Sequence, residues 1–108
     1  MTTRELTYYP VAKLSDIGPG ELKYVEAGPD YEPICLVNFD GEIHALSDIC
    51  THQDAALSDG EIVGNDLECP LHGGAFNIKT GAPTSFPVVT PVPKYQIKIE
   101  NDEILIGL

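Results

Sequence analysis

The sequence predicts an all-β protein, a small antiparallel sandwich or barrel of short strands. Three observations carry this prediction. Apolar and polar residues alternate over short stretches, ten glycines and nine prolines punctuate the chain, and helical periodicity is nearly absent. With 108 residues, 43% of them hydrophobic and 21% charged, residues 1–108 are expected to form a single domain, with length for one hydrophobic core and not for a second.

Taken in chain order, residues 11–17 form the first of two stretches able to make a turn or two of helix. Residues 21–26 read as a short strand. Ile34-Cys35-Leu36-Val37-Asn38-Phe39 and Glu42-Ile43-His44-Ala45-Leu46 flank Asp40-Gly41, the signal of a two-residue hairpin turn. Cys35, inside an apolar run, is expected as a small core residue, and His44 as an ordinary strand residue rather than a ligand. Residues 53–57 are the second helix-capable stretch; residues 61–63, 67–69 and 75–78 read as short strands. Prolines at 83, 87, 91 and 93 exclude a helix there and predict a stiff extended loop. Tyr95, Ile97 and Ile99 then alternate with Gln96, Lys98 and Glu100, the period of a half-buried strand. Asn101-Asp102 turns the chain into Glu103-Ile104-Leu105-Ile106, whose isoleucines alternate again. There is no internal repeat, low-complexity tract or linker.

Composition excludes several classes of partner. Apolar runs of only a few residues, such as Ile34-Cys35-Leu36-Val37, cannot span a membrane. The start, Met1-Thr2-Thr3-Arg4-Glu5-Leu6, lacks the apolar core of a signal peptide, so the cytoplasm is the expected location. Seventeen acidic residues against six basic ones give a net charge of −11, and no Lys or Arg occurs between Lys23 and Lys79 while eleven Asp and Glu do. Nucleic acid and anionic membrane surfaces demand the opposite sign. A protein partner with a basic docking face fits, with attraction that speeds encounter and weakens with salt; the same acidity also keeps a small protein soluble.

Three cysteines, an odd number with no leader, argue against a disulfide framework and for metal binding or buried thiols. Two of them lie in Cys50-Thr51-His52 and Cys69-Pro70-Leu71-His72, with sixteen residues between His52 and Cys69. Each cluster pairs a thiolate donor with an imidazole donor. Pro70 fixes one φ in the second loop, and Gly73-Gly74 permit close backbone approach. Four such ligands could bind zinc tetrahedrally. They could equally hold a [2Fe–2S] cluster with both cysteines on one iron and both histidines on the other. One Cys and one His from each loop suits a two-iron object, because each loop can reach both metals; a zinc finger usually separates its Cys and His pairs.

At these residues the sequence resembles the Rieske proteins, whose pattern is Cys-x-His followed by Cys-x-x-His. The stretch from Cys50 to Gly81, including Asp54-Ala55-Ala56-Leu57-Ser58-Asp59-Gly60 and Phe76-Asn77-Ile78-Lys79-Thr80-Gly81, looks like the Rieske ferredoxins of bacterial aromatic-ring-hydroxylating dioxygenase systems. The resemblance covers most of the chain and is loose before residue 34. It implies a Rieske fold, an antiparallel β-sandwich with a small inserted cluster-binding subdomain at about residues 47–82. It also implies one [2Fe–2S] cluster with Cys50 and Cys69 on the inner iron and His52 and His72 on the outer one. The outward ring nitrogens of those histidines would be the route for the electron, and their proton loss would couple potential to pH. Gln53 and the stretch around Phe86-Pro87 become candidates to cover the cluster and touch partners. Asp48 and Asp54 flank the first loop, either docking a partner or lying on a solvated loop face.

Rieske proteins of respiratory bc-type complexes add a cysteine to each ligand loop, joined in a disulfide; Ala55 and Leu71 stand at those positions here. That branch also has a serine and a tyrosine that donate hydrogen bonds to sulfur, where this chain has Gly74 and Phe76. Such bonds stabilise the reduced state and raise the potential. Their absence and the acidic surroundings imply a potential at the low end of the Rieske range, about −150 mV. The function implied is that of a one-electron carrier, not itself an enzyme, between an NAD(P)H-dependent flavoprotein reductase and a terminal aromatic-ring oxygenase. The rival reading is a Rieske-type subunit fixed to an enzyme, such as the small subunit of an assimilatory nitrite reductase.

Overall fold

The computed structural model describes residues 5–51, 55–70 and 74–108. Among the described residues the strands form three antiparallel sheets. The first orders β1 (Tyr8–Lys13), β10 (Glu103–Gly107) and β9 (Gln96–Glu100); the second orders β2 (Leu22–Ala27), β3 (Glu32–Phe39) and β4 (Glu42–Ser47). The third, entered from β4 and left before β9, orders β5 (Glu61–Val63), β6 (Asp66–Glu68), β7 (Ala75–Asn77) and β8 (Pro83–Ser85). Among the described residues no helix is long and apolar enough to cross a membrane.

Both predicted hairpins form. Asp40 and Gly41 take φ of 54° and 80°, and Asn101 and Asp102 take 48° and 69°, the left-handed pair that matches the twist of the strands they join. Two expectations hold only in part. Of residues 11–17, Leu14–Asp16 make one 3-10 turn of helix, while Val11 to Lys13 finish β1, which pairs with β10 from Tyr8↔Gly107 to Lys13↔Glu103. Tertiary pairing overrides a weak local preference there. The proline-rich segment is also more than a loop, since Pro83–Ser85 is a strand pairing with β7. It sits at the sheet edge, where a missing N–H leaves no ladder bond unmade. Of residues 53–57, Gln53 and Asp54 lie outside the described residues, and the 3-10 turn that does form is Leu57–Asp59.

The interior is divided into two clusters rather than the single core expected from length. Ile34 and Leu36 of β3 join Val25, Ala45, Ile104 and Ile106 between the first two sheets. Cys35 and Val37 point the other way, into a cluster with Leu46, Leu57, Leu67 and Phe76. All four β3 residues are 0% exposed, which is why this strand reads as a continuous apolar run while the outer strands alternate. Cys35 is therefore the core residue it was expected to be, and its thiol is pushed up to about 12, first by burial and then by the charge of Asp48.

Backbone packing is closest where the Leu57–Asp59 turn meets β6. A Cβ added to Gly60 would lie 1.9 Å from the carbonyl oxygen of Glu68, so Gly60→Ala forces the two segments apart just before Cys69. We expect a loss of about 2 kcal/mol and a fall of roughly 10 °C in Tm; an unchanged unfolding midpoint would refute the contact.

His44, on the Leu46 side of β4, helps to join the second sheet to the third. The Lys94 ammonium donates to the carbonyl of Lys79 and lies 3.3 Å from His44 Nδ1, which must then accept and leave the ring proton on Nε2. That buried Nε2 has no hydrogen-bond partner among the described residues. Burial, then Lys94 and Lys79, hold the ring below its ordinary value of 6.5, against an opposing effect of Glu42. The unfolded chain accordingly takes up this proton first, so the stability that the neutral ring contributes is complete above 6.5 and is lost as pH falls below it. Between about pH 7.5 and about pH 5.5, Tm should drop further in the parent than in His44→Gln, and equal drops would exclude this role.

Candidate metal centre

One loop follows β4 and another joins β6 to β7, and each begins with a cysteine. The first leaves β4 at Ser47. Ile49 and Ala56 form an isolated antiparallel bridge, and the amide of Cys50 donates to the carbonyl of Ala55 at 3.0 Å. The second joins β6 to β7, and the amide of Cys69 donates to the carbonyl of Gly74 at 2.6 Å. Both closures run from the cysteine to the fifth residue beyond it. Two unrelated stretches of sequence thus close with the same amide-to-carbonyl span, each with its cysteine at the first position.

Cys50 and Cys69 are each 3% exposed and belong to one apolar cluster with Leu57, Leu67, Phe76 and Val88. Two sulfur donors on separate loops, directed into one apolar cluster, suit a metal group that neutralises thiolate charge away from water. His52 and His72, with Gln53, Asp54, Leu71 and Gly73, lie outside the described residues.

The proline-rich segment packs against both loops. The hydroxyl of Thr51 donates to the carbonyl of Thr90 at 2.7 Å. Val88 is 4% exposed, and a Cβ on Gly74 would come within 2.8 Å of its Cγ1, so glycine at 74 is what lets the segment close on the second loop. Phe86, Val89 and Ile49 are 84%, 72% and 52% exposed, leaving apolar side chains bare on the two segments that Thr51 and Thr90 tie together. Phe86, expected to cover the cluster and touch partners, is thus on the surface. A polar cleft lined by Asp59, Glu61 and Glu68 reaches Cys69, so part of the acidity read in the sequence lies beside the second loop.

Asp48 departs from expectation. It is 5% exposed, neither docking surface nor solvated loop. Its Oδ1 accepts the amide of Ser58 at 2.7 Å, and its carbonyl accepts that of Leu57 at 2.7 Å. Sequence reasoning also missed Thr51 and Val88. Nothing local marks these residues, because their partners are nine to thirty-nine positions away in the chain.

The comparisons agree with this geometry. Residues 7–96 match the family described as Rieske [2Fe-2S] domain. The chain is 37% identical over 98 residues to the ferredoxin component of biphenyl 2,3-dioxygenase from Rhodococcus jostii (strain RHA1), covering 91% of this chain and 90% of that one. Its structure matches the Sphingomonas yanoikuyae B1 ferredoxin with a TM-score of 0.87 at 32% identity, covering 94% of this chain and 99% of that one. It also matches a chain of the complex of reduced oxygenase and oxidized ferredoxin in carbazole 1,9a-dioxygenase, with a TM-score of 0.85 at 32% identity over 93% of this chain and 92% of that one. An all-β fold, two matched cysteine loops and a family match over most of the length lead to one conclusion: the chain belongs to the Rieske [2Fe-2S] domain family.

Proposed function

We propose that this protein is a one-electron carrier that takes electrons from an NAD(P)H-dependent flavoprotein reductase and passes them to a terminal aromatic-ring oxygenase in the cytoplasm. Within one domain, the subdomain of about residues 47–82 would hold one [2Fe–2S] cluster, with Cys50 and Cys69 on one iron and His52 and His72 on the other. The observation that carries the reading is the pair of matched loops sending Cys50 and Cys69 into one apolar cluster, in a chain whose likeness to ferredoxin components runs nearly end to end.

When bound, the cluster supplies one-electron oxidation and reduction. The chain's own residues do the rest. The buried cysteines keep sulfur away from water, and Val88 and Phe86 belong to the segment that closes over the loops. Neither Gly74 nor Phe76 can donate a side-chain hydrogen bond to sulfur, which supports a low potential suited to accepting electrons only from a strong reductant. The exposed apolar residues Ile49, Phe86 and Val89 supply a docking face, and the net charge of −11 favours partners with basic ones.

Dithionite-reduced protein should give an anisotropic paramagnetic resonance signal of low average g-value, with two irons per chain. Cys50→Ala and Cys69→Ala should each abolish it, whereas Cys35→Ala should keep full iron and lose only about 1 kcal/mol of stability. A colourless protein with one zinc would overturn the reading. The rate of reduction by a flavoprotein reductase should fall several-fold as ionic strength rises from about 0.02 M to about 0.5 M; a rate flat with salt would remove the charge-steered docking.

A further inference from the structure

Asp48 is a carboxylate where carboxylates are rarely found. It is 5% exposed, two residues before Cys50, and it forms no ion pair among the described residues. Its amide donates to the carbonyl of Pro33 at 3.1 Å, its carbonyl accepts from Leu57, and its Oδ1 accepts from Ser58. One residue therefore ties the start of β3, the end of β4 and the Leu57–Asp59 turn, the elements from which the first loop springs. The two backbone ties do not use the side chain; the Oδ1 bond is the part that it adds. Its charge is also felt in the interior, where it raises the Cys35 thiol, after burial.

We propose that Asp48 is the positioning residue of the first cysteine loop and that its buried negative charge lowers the reduction potential of the centre. The second half rests on the reading of Cys50 as a ligand; the first half does not. A fixed charge in a poorly screened interior opposes adding an electron nearby, whereas an exposed charge is damped by water and salt. In a low-potential carrier the same carboxylate would then hold the loop and set the driving force.

Asp48→Asn keeps an acceptor oxygen and removes the charge; Asp48→Ala removes both; Asp59→Asn removes an exposed charge from the same turn. Hydrogen exchange at the Ser58 amide should remain near the parent rate in Asp48→Asn and rise roughly tenfold in Asp48→Ala, with chelator-driven iron loss accelerated to a similar degree. Spectroelectrochemistry should show the reduced-to-oxidised ratio at a given applied potential raised roughly tenfold in both Asp48 variants, about 59 mV for a one-electron couple. The shift should persist at high salt, where that of Asp59→Asn vanishes. A parent-like potential in Asp48→Asn would overturn the electrostatic role, and parent-like Ser58 exchange in Asp48→Ala would overturn the positioning role. A parent protein without redox-active iron would defeat the ligand reading and the electrostatic role with it, while Ser58 exchange would still decide the positioning role.

Discussion

The architecture depends on one strand being buried on both faces. Ile34 and Leu36 close the interior between the first two sheets, while Cys35 and Val37 close the cluster that contains Cys50 and Cys69. Because side chains alternate with a period of two, a slip of one residue in β3 would exchange the two sets and disrupt both interiors at once. The pairing with β2 and β4 fixes the register, from Leu22↔Val37 on one side to Phe39↔Glu42 on the other. Cys50 and Cys69 are thereby packed onto β3 through Cys35 and Val37.

On that base the two loops are built by local closure and joined by distant contacts. Each cysteine amide bonds to a carbonyl five residues on, which fixes the loop's mouth without a disulfide. What relates the loops to each other and to the base comes from elsewhere: Asp48 to Ser58, Thr51 to Thr90, Gly74 against Val88. The proline-rich segment is held at its far end by Val92 to Gly81 and by Ser47 to Pro93. Prolines that cannot form a helix are well used here, since an extended stiff segment loses little entropy when it is clamped across two loops.

Charge follows the same division. The acidic residues near the second loop, Asp59, Glu61 and Glu68, border a cleft open to solvent, whereas Asp48 is enclosed. Water and ions soften the first group and leave the second largely unscreened. A chain with few cations places Lys94 between His44 and the turn that carries Lys79, where it connects two sheets rather than neutralising a carboxylate.

The sequence by itself determined the all-β class, both hairpin turns, the buried nature of Cys35 and the pairing of two Cys–His motifs. Those features are written in neighbouring residues: Asp40-Gly41 and Asn101-Asp102 turn the chain, periods of two mark the strands, and donor spacing marks a candidate metal site. Only the tertiary structure decided that residues 11–13 are strand, that Pro83–Ser85 pairs with β7, and that the interior is split by β3. It alone placed Asp48 inside and Phe86 outside. Each of these outcomes depends on partners far along the chain, Gly107 for Tyr8, Ser58 for Asp48, Thr90 for Thr51. Local sequence states what a residue prefers; which distant group meets it is fixed when the sheets pack.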